Sequence, residues 1–329
     1  MTEPTRPFLL DTDGGIDDAA ALWWLLDRAD IEVVGITIVH GNVSTDLAGA
    51  NIARVLEAHG RPDIPMALGA TDPYGPAPEM RPADFIHGTD GLGETFRPEP
   101  ETRPVAETAT EMIRRLSTEH AGRLELLTLG PLSNIAHALD ADPDLPSRVA
   151  SITVMGGVIG ECGNAQPFGE ANIANDPTAA QRVVTAGWSS ATLVGLDVTH
   201  RATFTPDLFE IVDAERNAAG RFLAVPLQFY RRFGGTFCVE ADECPCHDLL
   251  AAMVAVRPEL VEGPTLPLAV QTGPGPAWGS TIADRRVTFF ERAGEGSVQN
   301  VPEGFAPWRC ALGVDVEAFR SELEAMFGA

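Results

Sequence analysis

Four carboxylates are crowded into the run Asp11-Thr-Asp13-Gly-Gly-Ile-Asp17-Asp18, directly after the apolar segment Phe8–Leu10. Asp11 and Asp13 lie two apart, so on an extended chain they point to one side. Gly14 and Gly15 allow a sharp turn before Asp17 and Asp18, which fall at the start of a helical pattern. Carboxylates this close repel one another unless a cation sits among them, and hard oxygen ligands suit Ca²⁺ or Mg²⁺. A capping role explains Asp17 alone. It does not explain four acids after an apolar strand.

Two other segments offer matching chemistry. The loop from Gly163 to Pro177 is dense in amides and acids, and Asn164, Glu170 and Asn172 within it could bind several hydroxyls. Met155-Gly156-Gly157, just before that loop, lets the backbone approach a ligand, whereas Asp176-Pro177 reads as a plain helix start. His247-Asp248 opens the apolar helix Leu249–Val256. Asp248 there is an ordinary helix-start acid on its own, but beside the acidic loop it becomes a metal or sugar ligand. His247 then reads as a proton donor near neutral pH. Cys244-Pro-Cys246-His247 with Cys238 invites a zinc reading, but the spacing fits no common zinc pattern. His59, His120 and His137 read as surface or packing residues, and Trp23 and Trp24 as core or interface residues. His200, after a strand, is assigned no role. Phe229, Tyr230 and Phe233 have helical spacing and read first as core.

The elements that must carry these groups alternate. Strands are expected at Phe8–Leu10, Glu32–Val39, Leu124–Leu129, Ile152–Met155 and Ala191–Gly195. Helices are expected at Asp17–Arg28, Thr45–His59, Val105–Glu119, Leu132–Leu139 and Pro177–Ala186. Such alternation predicts an α/β fold, a mostly parallel sheet with helices on both faces and ligands beyond the strands' carboxyl ends. Residues 68–104, 156–176 and 233–246 are irregular, and the chain beyond Glu259 reads as added strands and a closing helix, Asp315–Phe327. With no internal repeat and no boundary, one domain over 1–329 is expected.

Bulk properties narrow the partners. The net charge of -24 disfavours nucleic acid and anionic membrane surfaces. All 23 basic residues are Arg, which removes Schiff-base, P-loop and lysine-base chemistry and leaves little to clamp a phosphate. A neutral small substrate fits better. No apolar run approaches the roughly 20 residues of a membrane helix, and a secretory signal pattern is absent, so a cytoplasmic protein with free thiols is expected.

The acidic loop also resembles the first motif of haloacid-dehalogenase-type phosphatases, in which the first Asp is a nucleophile, but that family uses a Lys, or occasionally an Arg, to hold the phosphate. A wider resemblance is carried by Asp11–Asp18, Asn164–Asn172 and His247-Asp248 together. His40-Gly41-Asn42, His87–Leu92, Gly130–Asn134 and Gly279–Asp284 add to it in the same order along the chain. On these motifs the sequence resembles the inosine–uridine-preferring nucleoside hydrolase family. The resemblance implies a Rossmann-like fold and hydrolysis of ribonucleosides to ribose and free base. It implies Ca²⁺ on the side chains of Asp13, Asp18 and Asp248 and the main-chain oxygen of Leu129, where the family usually has Thr. Asp13 would also be general base for a calcium-bound water. Asp17, Asn172 and Asp248 would hold the 2′ and 3′ hydroxyls, and Asn164 and Glu170 the 5′ hydroxyl, with Asn42 in the same pocket. His247 would protonate the leaving base, near His87, and Tyr230 would cover it. A homodimer or homotetramer is implied. Three departures bear on the pocket: Gly14 for a common Pro should loosen the loop, Ala171 for an aromatic should open one wall, and Cys246 replaces an aliphatic residue. The alternatives are the phosphatase and a silent nucleoside- or sugar-binding protein on the same fold.

Overall fold

The apolar run that leads into the acidic loop is a strand, β1 (Arg6–Thr12), buried on both faces. Its side chains alternate between two cores: Phe8 and Leu10 join one, Leu9 the other. That is the pattern of a strand inside a sheet covered on both sides. The computed structural model, which describes residues 5–212, 216–233, 243–288 and 301–328, places β1 in the interior of a nine-stranded sheet.

On one side of β1 lie β2 (Ile31–Ile38) and β3 (Met66–Leu68); on the other lie β4 (Glu125–Thr128), β5 (Ser151–Met155) and β6 (Ala191–Val194). Ala306–Cys310, Thr265–Val270 and Thr281–Ala283 extend the β6 edge in that order, and Thr265–Val270 alone runs against the other strands. The sheet is thus mostly parallel, as the alternation predicts. Strand order reverses between β1 and its neighbours β2 and β4, which opens a crevice at their carboxyl ends. Asp11–Asp13, His40–Asn42, Leu129–Gly130 and Met155–Gly157 all emerge there.

Two helices decide what meets in that crevice. α1 (Ile16–Leu26) is buried from Ile16 through Leu25, and it packs against the equally apolar helix His247–Val256. A helix apolar all round must be enclosed. Because the two are enclosed together, the acids at their N-termini come together as well. Trp23 and Trp24 are core residues of this layer.

Most element boundaries fall within a few residues of the sequence reading, and the differences have local causes. The helix expected from Val105 begins at Ala109, because Thr108 caps it and Glu111 reaches back to the Thr108 N–H at 2.8 Å. The loop expected over 156–176 contains a helix, Ala171–Asn175, whose first amides are capped by Glu170. Gly14 turns the chain between the two pairs of acids. It takes φ +70°, closed to proline, and a Cβ there would stand 2.6 Å from Ala48 Cα, while Asn51 Nδ2 donates to the Gly14 carbonyl at 3.0 Å. Free thiols hold for Cys244, Cys246 and Cys310, all buried, whereas Cys162 is disulfide-bonded. Among the described residues no helix is long and apolar enough to cross a membrane.

Candidate active site

Asp11 lies beneath the crevice. Its Oδ1 accepts from Asn134 Nδ2 at 2.7 Å and Thr37 Oγ1 at 2.5 Å, tying β1 to β2 and to the helix Ser133–Ala141. Burial pushes its carboxyl up to about 7. With Oδ1 engaged by both Asn134 and Thr37, the residue that the phosphatase reading requires as nucleophile serves as a structural anchor.

Asp13 is held on both oxygens by Asn42: the backbone N–H donates to Oδ2 at 2.9 Å and Nδ2 to Oδ1 at 2.8 Å. Gly41 must be glycine, since a Cβ there would stand 1.9 Å from Asp13 Oδ2. Asp18 accepts from the Gly15 N–H at 2.8 Å and from the Thr12 hydroxyl. Oxygens of Asp17, Asp18 and Asp248 lie within 4.8 Å of one another, and Asp13 contacts Asp18 beside them. These four residues are 1%, 6%, 0% and 2% exposed for Asp13, Asp17, Asp18 and Asp248, so little water reaches their charge. Burial first, and then the neighbouring carboxylates, raise Asp13 and Asp248 well above the usual carboxylate range and push Asp17 up to about 7. Asp17 Oδ1 is buried with no hydrogen-bond partner. An all-oxygen donor set with an orphaned carboxylate oxygen fits a hard divalent cation. The Leu129 carbonyl faces the same space, and Asn172 Nδ2 occupies one of its lone pairs at 2.9 Å.

A cavity of about 550 Å³ stands over this cluster. Ten of the twelve residues singled out in the sequence line it: Asp17, Asn42, His87, Leu129, Asn164, Glu170, Asn172, Tyr230, His247 and Asp248. Asp13 and Asp18 lie just below. The amide loop is held from within. Glu170 accepts the backbone N–H groups of Gly157 (2.9 Å), Asn172 (2.8 Å) and Ile173 (3.1 Å), and burial raises its pKa. Asn164 Oδ1 accepts from Ala171 N at 3.0 Å. Ala171 lines the cavity with only a methyl group where a large ring would fill it.

Burial favours the neutral form of both cavity histidines. His87 Nδ1 accepts the Ile16 N–H at 3.1 Å, so its proton sits on Nε2, and burial pulls its pKa down to about 4. Nδ1 is also 3.9 Å from Asp17 Oδ1, but with its lone pair engaged and the ring neutral this is not an ion pair. The ring stacks on Tyr230, with centroids 5.6 Å apart, and the Tyr230 hydroxyl donates to Asp17 Oδ2 at 3.4 Å. His247 Nδ1 is 2.8 Å from Thr199 Oγ1. Burial, followed by the neighbouring rings of His200 and His87, takes its pKa down to about 3. At neutral pH His247 therefore offers the N–H of a neutral imidazole. The zinc reading gains no support: among the described residues the only grouped candidate ligands are Asp17, Asp18 and Asp248, and burial raises the thiols of Cys244 and Cys246. Cys238 lies outside the described residues.

Sequence reasoning missed several contributors. His40 lines the cavity and pairs through Nε2 with Ser133 Oγ (3.0 Å), which donates to Asp176 (2.6 Å). Its place in His-Gly-Asn was the available signal. Thr199 had no local signal at all. Asp90, within His87–Leu92, accepts three backbone N–H groups and shapes the loop beside His87. Thr281, within Gly279–Asp284, pins the turn after β5 by accepting from Val158 N at 2.8 Å.

Residues 8–321 match the family model described as inosine-uridine preferring nucleoside hydrolase. A probable uridine nucleosidase 1 of Oryza sativa subsp. japonica is 34% identical, over 96% of this chain and 95% of the relative. The solved plant nucleoside hydrolase PpNRh1 superposes with TM-score 0.90 at 30% identity, covering 99% of this chain and 100% of that one. A purine-preferring ribonucleoside hydrolase from Gardnerella vaginalis superposes with TM-score 0.84 at 30% identity, covering 98% of each chain. By sequence and by fold, the chain belongs to the inosine-uridine preferring nucleoside hydrolase family.

Proposed function

We propose that this nucleoside hydrolase cleaves ribonucleosides, with uridine the first substrate to try, using Asp13 as general base and His247 as donor to the leaving base. The observation that carries the reading is one cavity where a buried carboxylate cluster, an amide-rich loop and two buried histidines converge. When bound by Asp13, Asp18, Asp248 and the Leu129 carbonyl, Ca²⁺ would lower the pKa of a water and fix the sugar diol. Asn42 aims Asp13 to take a proton from water. Asp17, Asn172 and Asp248 hold the 2′ and 3′ hydroxyls, and Asn164 and Glu170 hold the 5′ hydroxyl. The carboxylates stabilise positive charge that builds on the ribosyl ring as the N-glycosidic bond breaks.

His87, Tyr230 and His247 surround the base. Each histidine has Nδ1 engaged by the protein, so Nε2 is the nitrogen left for ligand. Two N–H donors suit a base with carbonyl acceptors, and a uridine nucleosidase is among the relatives that cover nearly the whole chain. We further propose one domain over 1–329, a cytoplasmic location and a homodimer or homotetramer, the last measurable by light scattering. The deciding assay follows reducing sugar from a panel of nucleosides, before and after chelation and calcium restoration. Ribose should appear, vanish with chelator and return with calcium. No ribose from any nucleoside in calcium would overturn the reading.

A further inference from the structure

We propose that Thr199 is a positioning residue that locks His247 in the tautomer with hydrogen on Nε2, facing the substrate. The inference rests on the His247 role just proposed and extends it to a residue outside the cavity lining.

Hydrogen-bond accounting carries it. Thr199 is 0% exposed, and its Oγ1 stands 2.8 Å from His247 Nδ1. If Nδ1 carried the hydrogen, the Thr199 hydroxyl would accept it and its own proton would need another acceptor. Among the described residues the hydroxyl has no other hydrogen-bond partner. A buried donor would then be left unpaired, which is the costly arrangement. In the other assignment Thr199 donates, Nδ1 accepts, and both groups are satisfied. The hydrogen then belongs on Nε2.

Both partners are mounted on constrained backbone. Thr199 ends the short helix Leu196–Thr199, and its N–H donates to the Gly195 carbonyl at 3.1 Å. Asp197 in that helix accepts from Ile159 N at 2.8 Å and Gly160 N at 2.7 Å, fastening the helix to the turn that leads into the Asn164–Asn172 loop. On the other side, Cys246 N donates to the Ala202 carbonyl at 2.9 Å, fixing the backbone just before His247. His200 packs edge-on against His247, with centroids 5.9 Å apart at 62°, and both its ring nitrogens are buried without partners. It confines the ring without competing for Nδ1.

The consequence is chemical. With hydrogen on Nε2, the neutral ring can give a hydrogen bond to an acceptor atom of the departing base and steady the negative charge that grows there, while the ring keeps its own proton. With hydrogen on Nδ1, it would present a lone pair to that atom and have nothing to give.

The test uses the calcium-loaded enzyme and two substrates: uridine, whose base leaves poorly unless its growing negative charge is hydrogen-bonded, and p-nitrophenyl riboside, whose leaving group needs no such help. Thr199→Val should lower kcat on uridine by about 10- to 100-fold with KM changed by less than about threefold, and should change p-nitrophenyl riboside turnover by less than about threefold. Thr199→Ser, which keeps the hydroxyl, should return uridine turnover to within about threefold of the parent. Nitrogen-15 NMR of the histidine-labelled parent, with His247 assigned from His247→Ala, should show Nδ1 unprotonated and Nε2 protonated. Equal losses on both substrates, no loss on uridine, or a protonated Nδ1 in the parent would each overturn the proposal. A His247→Ala variant impaired equally on both substrates would remove the donor role of His247 instead, while the NMR tautomer would still decide what Thr199 does.

Discussion

Gly41 shows how closely single residues define this site. It contacts no ligand in the proposed mechanism, yet it leaves just enough room for the Asp13 carboxylate that Asn42 aims. Gly41→Ala should therefore push Asp13 aside and cut kcat by about 10²-fold or more, the scale of losing a positioned general base. The far-UV circular dichroism should stay that of the parent, and a fully active Gly41→Ala would show that Asp13 need not sit where Asn42 holds it. Asp13→Ala should abolish turnover on uridine and p-nitrophenyl riboside alike, because both need an activated water. His247→Ala should instead hurt uridine far more than p-nitrophenyl riboside. Comparing kcat on the two substrates thus separates the water side of the reaction from the base side, and identical profiles for the two variants would deny that division.

The elements hold these residues by crossing hydrogen bonds at the carboxyl ends of the strands. Asn134 is the clearest case: its Nδ2 donates to Asp11 Oδ1 and the Ile38 carbonyl, and its Oδ1 accepts from Ala70 N. Asn134→Ala should cost about 1–2 kcal/mol in urea unfolding, since it removes three hydrogen bonds and the acceptor of Ala70 N, while Asp11 Oδ1 keeps Thr37 and the Ile38 carbonyl keeps the Gly69 N–H; a loss below about 0.5 kcal/mol would mean that the strand ends are held by other contacts. Much of this level was legible in the sequence. Strands covered on both faces read as apolar runs, and Asp11–Asp18 fell where the first run ended. The helix Ala171–Asn175 was not legible, because five residues are too few to show a helical period and a Glu in an amide-rich run suits a ligand as well as a cap. Thr199 lies 48 positions from His247, and only folding brings the two together. The neutral state of His247 was hidden for a related reason: sequence names the imidazole, but the burial that lowers its pKa is a property of the packed molecule.

At the scale of the whole molecule, the enclosed pair of helices joins folding to metal binding. Packing α1 against His247–Val256 creates an apolar layer, but it also buries Asp17, Asp18 and Asp248 within 4.8 Å of one another. A protein of net charge -24 has little spare cation to neutralise them, and the cluster opposes the packing that forms it. A cation bound only by the folded chain reverses that opposition. Calcium at about 100 times its dissociation constant should add about 2.7 kcal/mol to folding. For 329 residues, with an unfolding entropy of about 2.1 cal/mol/K per residue, that is a rise in Tm of roughly 4 °C. The rise should grow with the logarithm of calcium concentration, reverse with chelator, and disappear in Asp18→Ala. Magnesium, which demands a tighter octahedral shell, should give a smaller shift at equal concentration. Thermal melts without any substrate measure all of this, so the metal site can be judged apart from catalysis. A Tm indifferent to calcium up to millimolar levels would leave the buried acids without their proposed partner, and protons would then have to neutralise them.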